Sequence, residues 1–145
     1  MASTVLTKEN IQLGLETMPK EEAIQKAGEI LQSQGYVNEA YVKEMMAREE
    51  LTSTYMGNYL AIPHGTEDAK KEIKETGISI LLFDEPIDWD GEEVRLVIGI
   101  AGKGDEHLEI LSNIAITCSD ESKLEDILNA NSADELLNHF TEVTG

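Results

Sequence analysis

Two histidines follow apolar runs. His64 comes after Tyr59-Leu60-Ala61-Ile62-Pro63, and His107 comes after the run Val94 to Ala101 and a loop framed by Gly102 and Gly104. A neutral imidazole is a competent nucleophile toward phosphorus, and a covalent phosphohistidine divides one transfer between proteins into two steps. Such a transfer needs donors for the charge on the equatorial phosphoryl oxygens, a task suited to a guanidinium and to free helix amides. Arg48 and His107 are the candidates for that support. Each histidine also lies beside a helix-start signal, Thr66 with Glu67 and Asp68 or Asp105 with Glu106. The positive end of a helix dipole favours an anion there and disfavours an imidazolium, so a neutral ring is expected. Plainer readings exist: a histidine in a turn after proline is commonly an exposed loop residue, and an arginine in a helix's last turn is already favoured by the dipole. His107 reads equally as a solvent-facing first-turn residue. His139, beside the core candidate Phe140, reads as a surface residue without a role.

The elements that would position these groups follow from periodicity and caps. Pro19 suits a first-turn position, Ala23, Ile24, Ala27, Ile30 and Leu31 form one helical stripe, and Gly35 ends that helix. Asn38 is a plausible cap for a second helix through about Leu51, with Tyr41, Val42, Met45 and Met46 on an inward arc and Arg48 bordering it. Thr52 to Asn58 reads as polar and turn-like. Tyr59 to Ile62 reads as a short strand that Pro63 stops from pairing further, followed by a short helix capped by Thr66 and carrying Lys70, Lys71 and Lys74.

Gly77 to Phe83 and Val94 to Ala101 are continuous apolar strand candidates, both central in a sheet, separated by Pro86, Trp89 and an Asp90-Gly91 turn. Asp105 is a possible cap for a helix from about Glu106 to Cys118, Asp120 caps one through Leu128, and Ser132 with Glu135 forms a capping box for the last, to about Val143. Helices interleaved with buried strands predict an α/β single domain over 1–145: a mixed, mostly parallel sheet of about five strands sandwiched by helices. In such sheets ligands sit beyond the carboxyl ends of strands, the address that His64 and His107 share.

Composition narrows the partners. Of 145 residues, 29 are acidic and 11 are Lys or Arg, a formal charge of −18 that repels nucleic acid and anionic lipid. A basic protein partner fits better. Cys118, the single cysteine, has no internal disulfide partner and is expected to pack as a small buried side chain. No apolar run approaches the roughly 20 residues of a membrane helix, and no signal segment opens the chain, so a cytoplasmic protein without membrane insertion is expected. Neither metal nor cofactor is expected, since no His-Glu-x-x-His or similar spacing supports a metal hydrolase built on His64, His107 and carboxylates.

The segment Gly57-Asn58-Tyr59-Leu60-Ala61-Ile62-Pro63-His64-Gly65-Thr66 resembles the phosphorylation-site motif of enzyme IIA of the bacterial sugar phosphotransferase system, mannitol and fructose type. The resemblance extends over nearly the whole chain: Met45 to Thr54 is similar to the stretch with the family's active-site arginine, and Leu96 to Leu111 to that with its second histidine. It implies that His64 is phosphorylated, usually on Nε2, and that Arg48 and His107 support the phosphoryl group. It further implies HPr as donor, a cysteine of the IIB component of a sugar permease as acceptor, and no metal or nucleotide. Pro63-His64-Gly65-Thr66 followed by Glu67-Asp68-Ala69-Lys70 resembles mannitol-specific members more than fructose-specific or nitrogen-regulatory ones, and the absence of an appended IIB or IIC permease segment suggests a separate subunit or an excised domain. Met56, Tyr59 and Leu60 are candidates for the apolar part of the contact surface. The alternative is a nitrogen-regulatory or fructose-type module whose phosphorylation switches partner binding by adding charge.

Overall fold

A single open sheet organises the chain, in the computed structural model, in the order β1-β4-β5-β3-β2. The strands are β1 Ile11–Leu15, β2 Tyr55–Gly57, β3 Leu60–Ala61, β4 Gly77–Trp89 and β5 Glu92–Ala101; the helices are α1 Lys20–Ser33, α2 Glu39–Leu51, α3 Glu106–Ser119, α4 Glu121–Leu128 and α5 Ala133–Thr144. The structure describes residues 6–51, 53–65, 71–103 and 106–144, with the side chains at 106–108, 110 and 141–144 outside that description. The pairs β1·β4 and β3·β5 are parallel, whereas β4·β5 and β2·β3 are antiparallel, so the expected mixed α/β sheet is present.

Strand side chains alternate between faces, and here that alternation divides the core in two. Ile78, Ile80 and Leu82 of β4, with Leu96, Ile98 and Ile100 of β5, join Ile114, Cys118, Leu124, Ile127, Leu136 and Phe140 from α3, α4 and α5. Leu81 and Phe83 of β4, with Val97 and Ala101 of β5, join Ala23, Ile24, Ala27, Leu31, Tyr41 and Met45 from α1 and α2. Helices thus cover both faces. All five residues of the stripe read for the first helix are buried. Asp120 accepts hydrogen bonds from the amides of Ser122 and Lys123 at the start of α4, and Ser132 Oγ accepts the Glu135 amide at the start of α5.

Several local expectations are corrected. Tyr55–Gly57, read as turn-like, is the edge strand β2. Pro86 and Trp89 lie within β4, because a register shift between Leu82 and Ile87 accommodates proline's missing donor. Pro63 does not end pairing: its carbonyl accepts the Ile100 amide at 3.0 Å, and His64 bridges Ile100 in parallel. The helix expected after Thr66 falls largely outside the described residues, as do its cap Thr66, Glu67, Asp68 and Lys70, and as do Gly104 and Asp105.

Buried titrating groups set an alkaline limit to stability. Burial holds the Tyr41 phenol up at about 12, against a small opposing effect of its bond from Gly65, and holds the Cys118 thiol up at about 11. At Lys20, burial lowers the pKa, but the hydrogen bond to Asp90 and the charges of Glu49 and Asp90 outweigh it and raise it. Each group keeps its proton more firmly folded than unfolded, so its contribution is intact below the unfolded pKa and is lost as pH rises through the folded one. For the Tyr41 phenol and the Cys118 thiol the loss amounts to roughly 3 kcal/mol each. Urea midpoints should hold up to about pH 9 and then fall steadily toward pH 12; a midpoint unchanged between pH 8 and 11.5 would contradict this reading.

Candidate functional site

His64 stands at the carboxyl end of the short strand formed around Leu60 and Ala61, partly exposed. Leu60 and Ala61 pair with Leu96 and Val97, and the bridge between His64 and Ile100 continues the same parallel register past Pro63. Leu60, Ile62 and Ile100 all belong to the core beneath α3 to α5, so this register puts position 64 on the side of the sheet that those helices cover. The strand delivers the histidine to the sheet's rim and stops.

The ring is oriented by its own backbone. His64 Nδ1 lies 3.0 Å from the carbonyl oxygen of Ile62. A carbonyl only accepts, so Nδ1 carries the proton, and in the neutral ring Nε2 carries the lone pair. Which ring nitrogen carries the proton is thereby decided by a main-chain atom two residues upstream.

Helix α2 brackets the histidine loop at two points. In its first turn, buried Tyr41 accepts the Gly65 amide at 2.9 Å and donates to the Ile100 carbonyl at 2.7 Å. In its last turn, the buried Glu49 carboxylate accepts from the Thr54 amide and hydroxyl and from Trp89 Nε1 at 3.1 Å, with Lys20 Nζ 3.7 Å away. A buried charge is tolerated only with such compensation. The Thr54 carbonyl in turn accepts the Ile62 amide at 3.0 Å. The last turn of α2 is therefore tied to Ile62 and its first turn to Gly65, on either side of His64. Arg48 is partly buried in that last turn, next to Glu49.

The backbone of His107 lies in the first turn of α3, after β5 delivers the chain at Ala101; its side chain is outside the described residues. Leu60, a candidate contact residue, is 2% exposed and serves the core, whereas Met56 and Tyr59 are 44% and 40% exposed. Exposed Leu51 at the end of α2 was not anticipated. Nor was the role of Tyr41, although its chemistry offered a signal: a tyrosine on an inward-facing arc brings a hydroxyl that needs a polar partner, which phenylalanine would not. Among the described residues, no group of three or more His, Cys, Asp and Glu side chains is arranged to hold a metal ion, and no helix is long and apolar enough to cross a membrane.

A histidine with one ring nitrogen pinned, at a strand end between helix anchors in an α/β sheet, is an arrangement suited to accepting a phosphoryl group, and comparison gives the family. The chain matches the family described as phosphoenolpyruvate-dependent sugar phosphotransferase system, EIIA 2, over residues 4–143, and it belongs to that family. It is 56% identical over 143 residues to the mannitol-specific phosphotransferase enzyme IIA component of Halalkalibacterium halodurans, covering 99% of each chain. Among solved structures it is similar to IIA mannitol from Escherichia coli, with 41% identity and a TM-score of 0.85 over 92% of this chain and 97% of that one. It is also similar to a chain in the complex of enzyme IIAMTL and phosphorylated enzyme IIBMTL from Escherichia coli, with 39% identity and a TM-score of 0.87 over 94% and 97%. The protein is thus a phosphotransfer component of a sugar phosphotransferase system.

Proposed function

We propose that this protein is a mannitol-specific IIA phosphocarrier, in which His64 accepts a phosphoryl group from phospho-HPr and passes it to a cysteine of the mannitol IIB component. The observation that supports it most strongly is the contact of His64 Nδ1 with the Ile62 carbonyl, which leaves Nε2 as the nucleophile on a partly exposed ring. In the first step the Nε2 lone pair attacks phosphorus, an N–P bond forms, and the bond to the donor histidine breaks with its electron pair returning to the donor ring. In the second, the IIB thiolate attacks the same phosphorus, and the pair in the Nε2–P bond returns to His64. No net proton is exchanged on His64, because Nδ1 keeps its hydrogen throughout.

Arg48 is assigned the planar, bidentate support of the phosphoryl oxygens, and His107 a hydrogen-bonding role at the amide-rich start of α3. A developing trigonal phosphoryl group is stabilised by such fixed donors rather than by covalent chemistry. The mannitol assignment draws on the names of the similar proteins and on the sequence around His64. On it, the protein works at the cytoplasmic face of a mannitol IIB/IIC permease, and the sugar itself touches only the permease. The test is a relay. Protein labelled by phospho-HPr is mixed with purified mannitol IIB or fructose IIB, and the label is followed. Rapid passage to mannitol IIB is expected; preference for fructose IIB, or label that no IIB cysteine removes, would reassign the chain to the fructose-type or regulatory branch.

A further inference from the structure

We propose that Tyr41 is a positioning residue for His64: its hydroxyl ties the amide that follows the histidine to the Ile100 carbonyl of the neighbouring strand and so keeps Nδ1 against Ile62. The inference deepens the reading of His64 as the phosphorylated residue and rests on it. A parallel bridge between His64 and Ile100 uses two rungs, one from the Ile100 amide to the Pro63 carbonyl and one joining the Gly65 amide with the Ile100 carbonyl. The first rung is 3.0 Å long. At the second, the Tyr41 hydroxyl accepts from the Gly65 amide at 2.9 Å and donates to the Ile100 carbonyl at 2.7 Å. One phenol therefore satisfies the donor that follows His64 and the acceptor opposite it.

The geometry is demanding, because only a group that both donates and accepts can occupy that place. Tyr41 is 3% exposed, and its ring belongs to the core beneath α1 and α2, so the hydroxyl is held from behind by packing. Proline before the histidine and glycine after it leave residue 64 flanked by one residue without an amide hydrogen and one without a side chain. The brace supplies the rigidity that Gly65 does not.

The experiment is Tyr41→Phe, which keeps the ring and removes the hydroxyl. Two readouts are followed: the ring 15N signals of His64 in unphosphorylated protein, and the rate of labelling by phospho-HPr. Val42→Ala serves as control, since Val42 packs on Gly28 of α1 and is not a partner of the Gly65 amide or the Ile100 carbonyl. The wild type should show the Nδ1–H form of His64, and Tyr41→Phe a mixture of both forms with labelling slowed roughly 10- to 100-fold, the scale of a misplaced reacting group. Val42→Ala should lower the melting temperature with the His64 signals unmoved. Wild-type signals and rate in Tyr41→Phe would overturn the proposal, as would an equal change in Val42→Ala, which would mark general loosening. The NMR readout needs no phosphoryl transfer: were wild-type protein not labelled at all, the reading of His64 would fall, while a tautomer change confined to Tyr41→Phe would still uphold the brace. Should Tyr41→Phe fail to fold, Tyr41→4-aminophenylalanine, whose amino group still donates to the Ile100 carbonyl but accepts only weakly from the Gly65 amide, takes its place with the same expected and contrary results.

Discussion

His64→Ala will accept no measurable phosphoryl group from phospho-HPr, and its folding will be nearly unaltered. The nucleophilic nitrogen is gone, and neither Arg48 nor the backbone donors offer another. Loss of a covalent nucleophile typically costs far more than loss of a supporting donor, so labelling should fall by more than about 10⁴-fold. The fold should survive because His64 is partly exposed and the bond of the Ile100 amide to Pro63 involves only main chain, so urea stability should change by no more than about 1 kcal/mol. Acid-labile phosphate followed by intact mass provides the measurement. Undiminished labelling of the variant would move the chemistry to another residue.

Arg48→Ala is expected to remain folded, to become phosphorylated at His64, and to do so about 10²- to 10³-fold more slowly, by analogy with the loss of an oxyanion donor worth roughly 3 to 4 kcal/mol. Arg48→Lys should recover only part of that loss, because a compact ammonium keeps the charge without the planar fork that matches two phosphoryl oxygens. Rapid-quench kinetics with phospho-HPr separate the two effects, since a clamp acting in the transition state lowers the maximal rate more than the donor's apparent affinity. Equal rates for Arg48→Ala and wild type would remove Arg48 from the chemistry. The neighbouring Glu49 is not an equivalent target: it satisfies Thr54, Trp89 and Lys20 at once, and its loss would unseat the end of α2 altogether.

Much of this architecture is legible in the sequence wherever one physical signal dominates. The stripe from Ala23 to Leu31, the caps at Asp120 and Ser132, and the apolar runs in β4 and β5 all point to elements that form close to where they are expected. The failures lie where tertiary pairing overrides local pattern. Tyr55–Gly57 is three residues long at the sheet edge, too short to show alternation. Pro63 looks like a stop because it lacks a donor, yet the rung at that position needs only its carbonyl. Leu60 looks available beside Tyr59, and only the register with Leu96 reveals that it faces the core.

For the site, residue type and place in the strand-loop-helix order make His64 and His107 candidates, and the resemblance of the motif around His64 chooses between them, while the tautomer of His64 depends on a contact that no spacing encodes. The same limit applies to Tyr41, 24 residues before Gly65 in the chain and hydrogen-bonded to it in the fold. Arg48 and His107 are legible as candidates because their types suit phosphoryl oxygens, and the resemblance of the flanking segments to the family's motifs picks them out from other arginines and histidines.

The central claim is that the carbonyl of Ile62 holds the proton side of the ring and leaves Nε2 to bear the phosphoryl group. Protein labelled with 15N at histidine and phosphorylated by phospho-HPr provides the direct measurement through 15N and 31P NMR. A single phosphoryl group coupled to Nε2 of His64, with Nδ1 still protonated, is the predicted result. Phosphorus coupled to Nδ1 of His64, or to either nitrogen of His107 or His139, would contradict it.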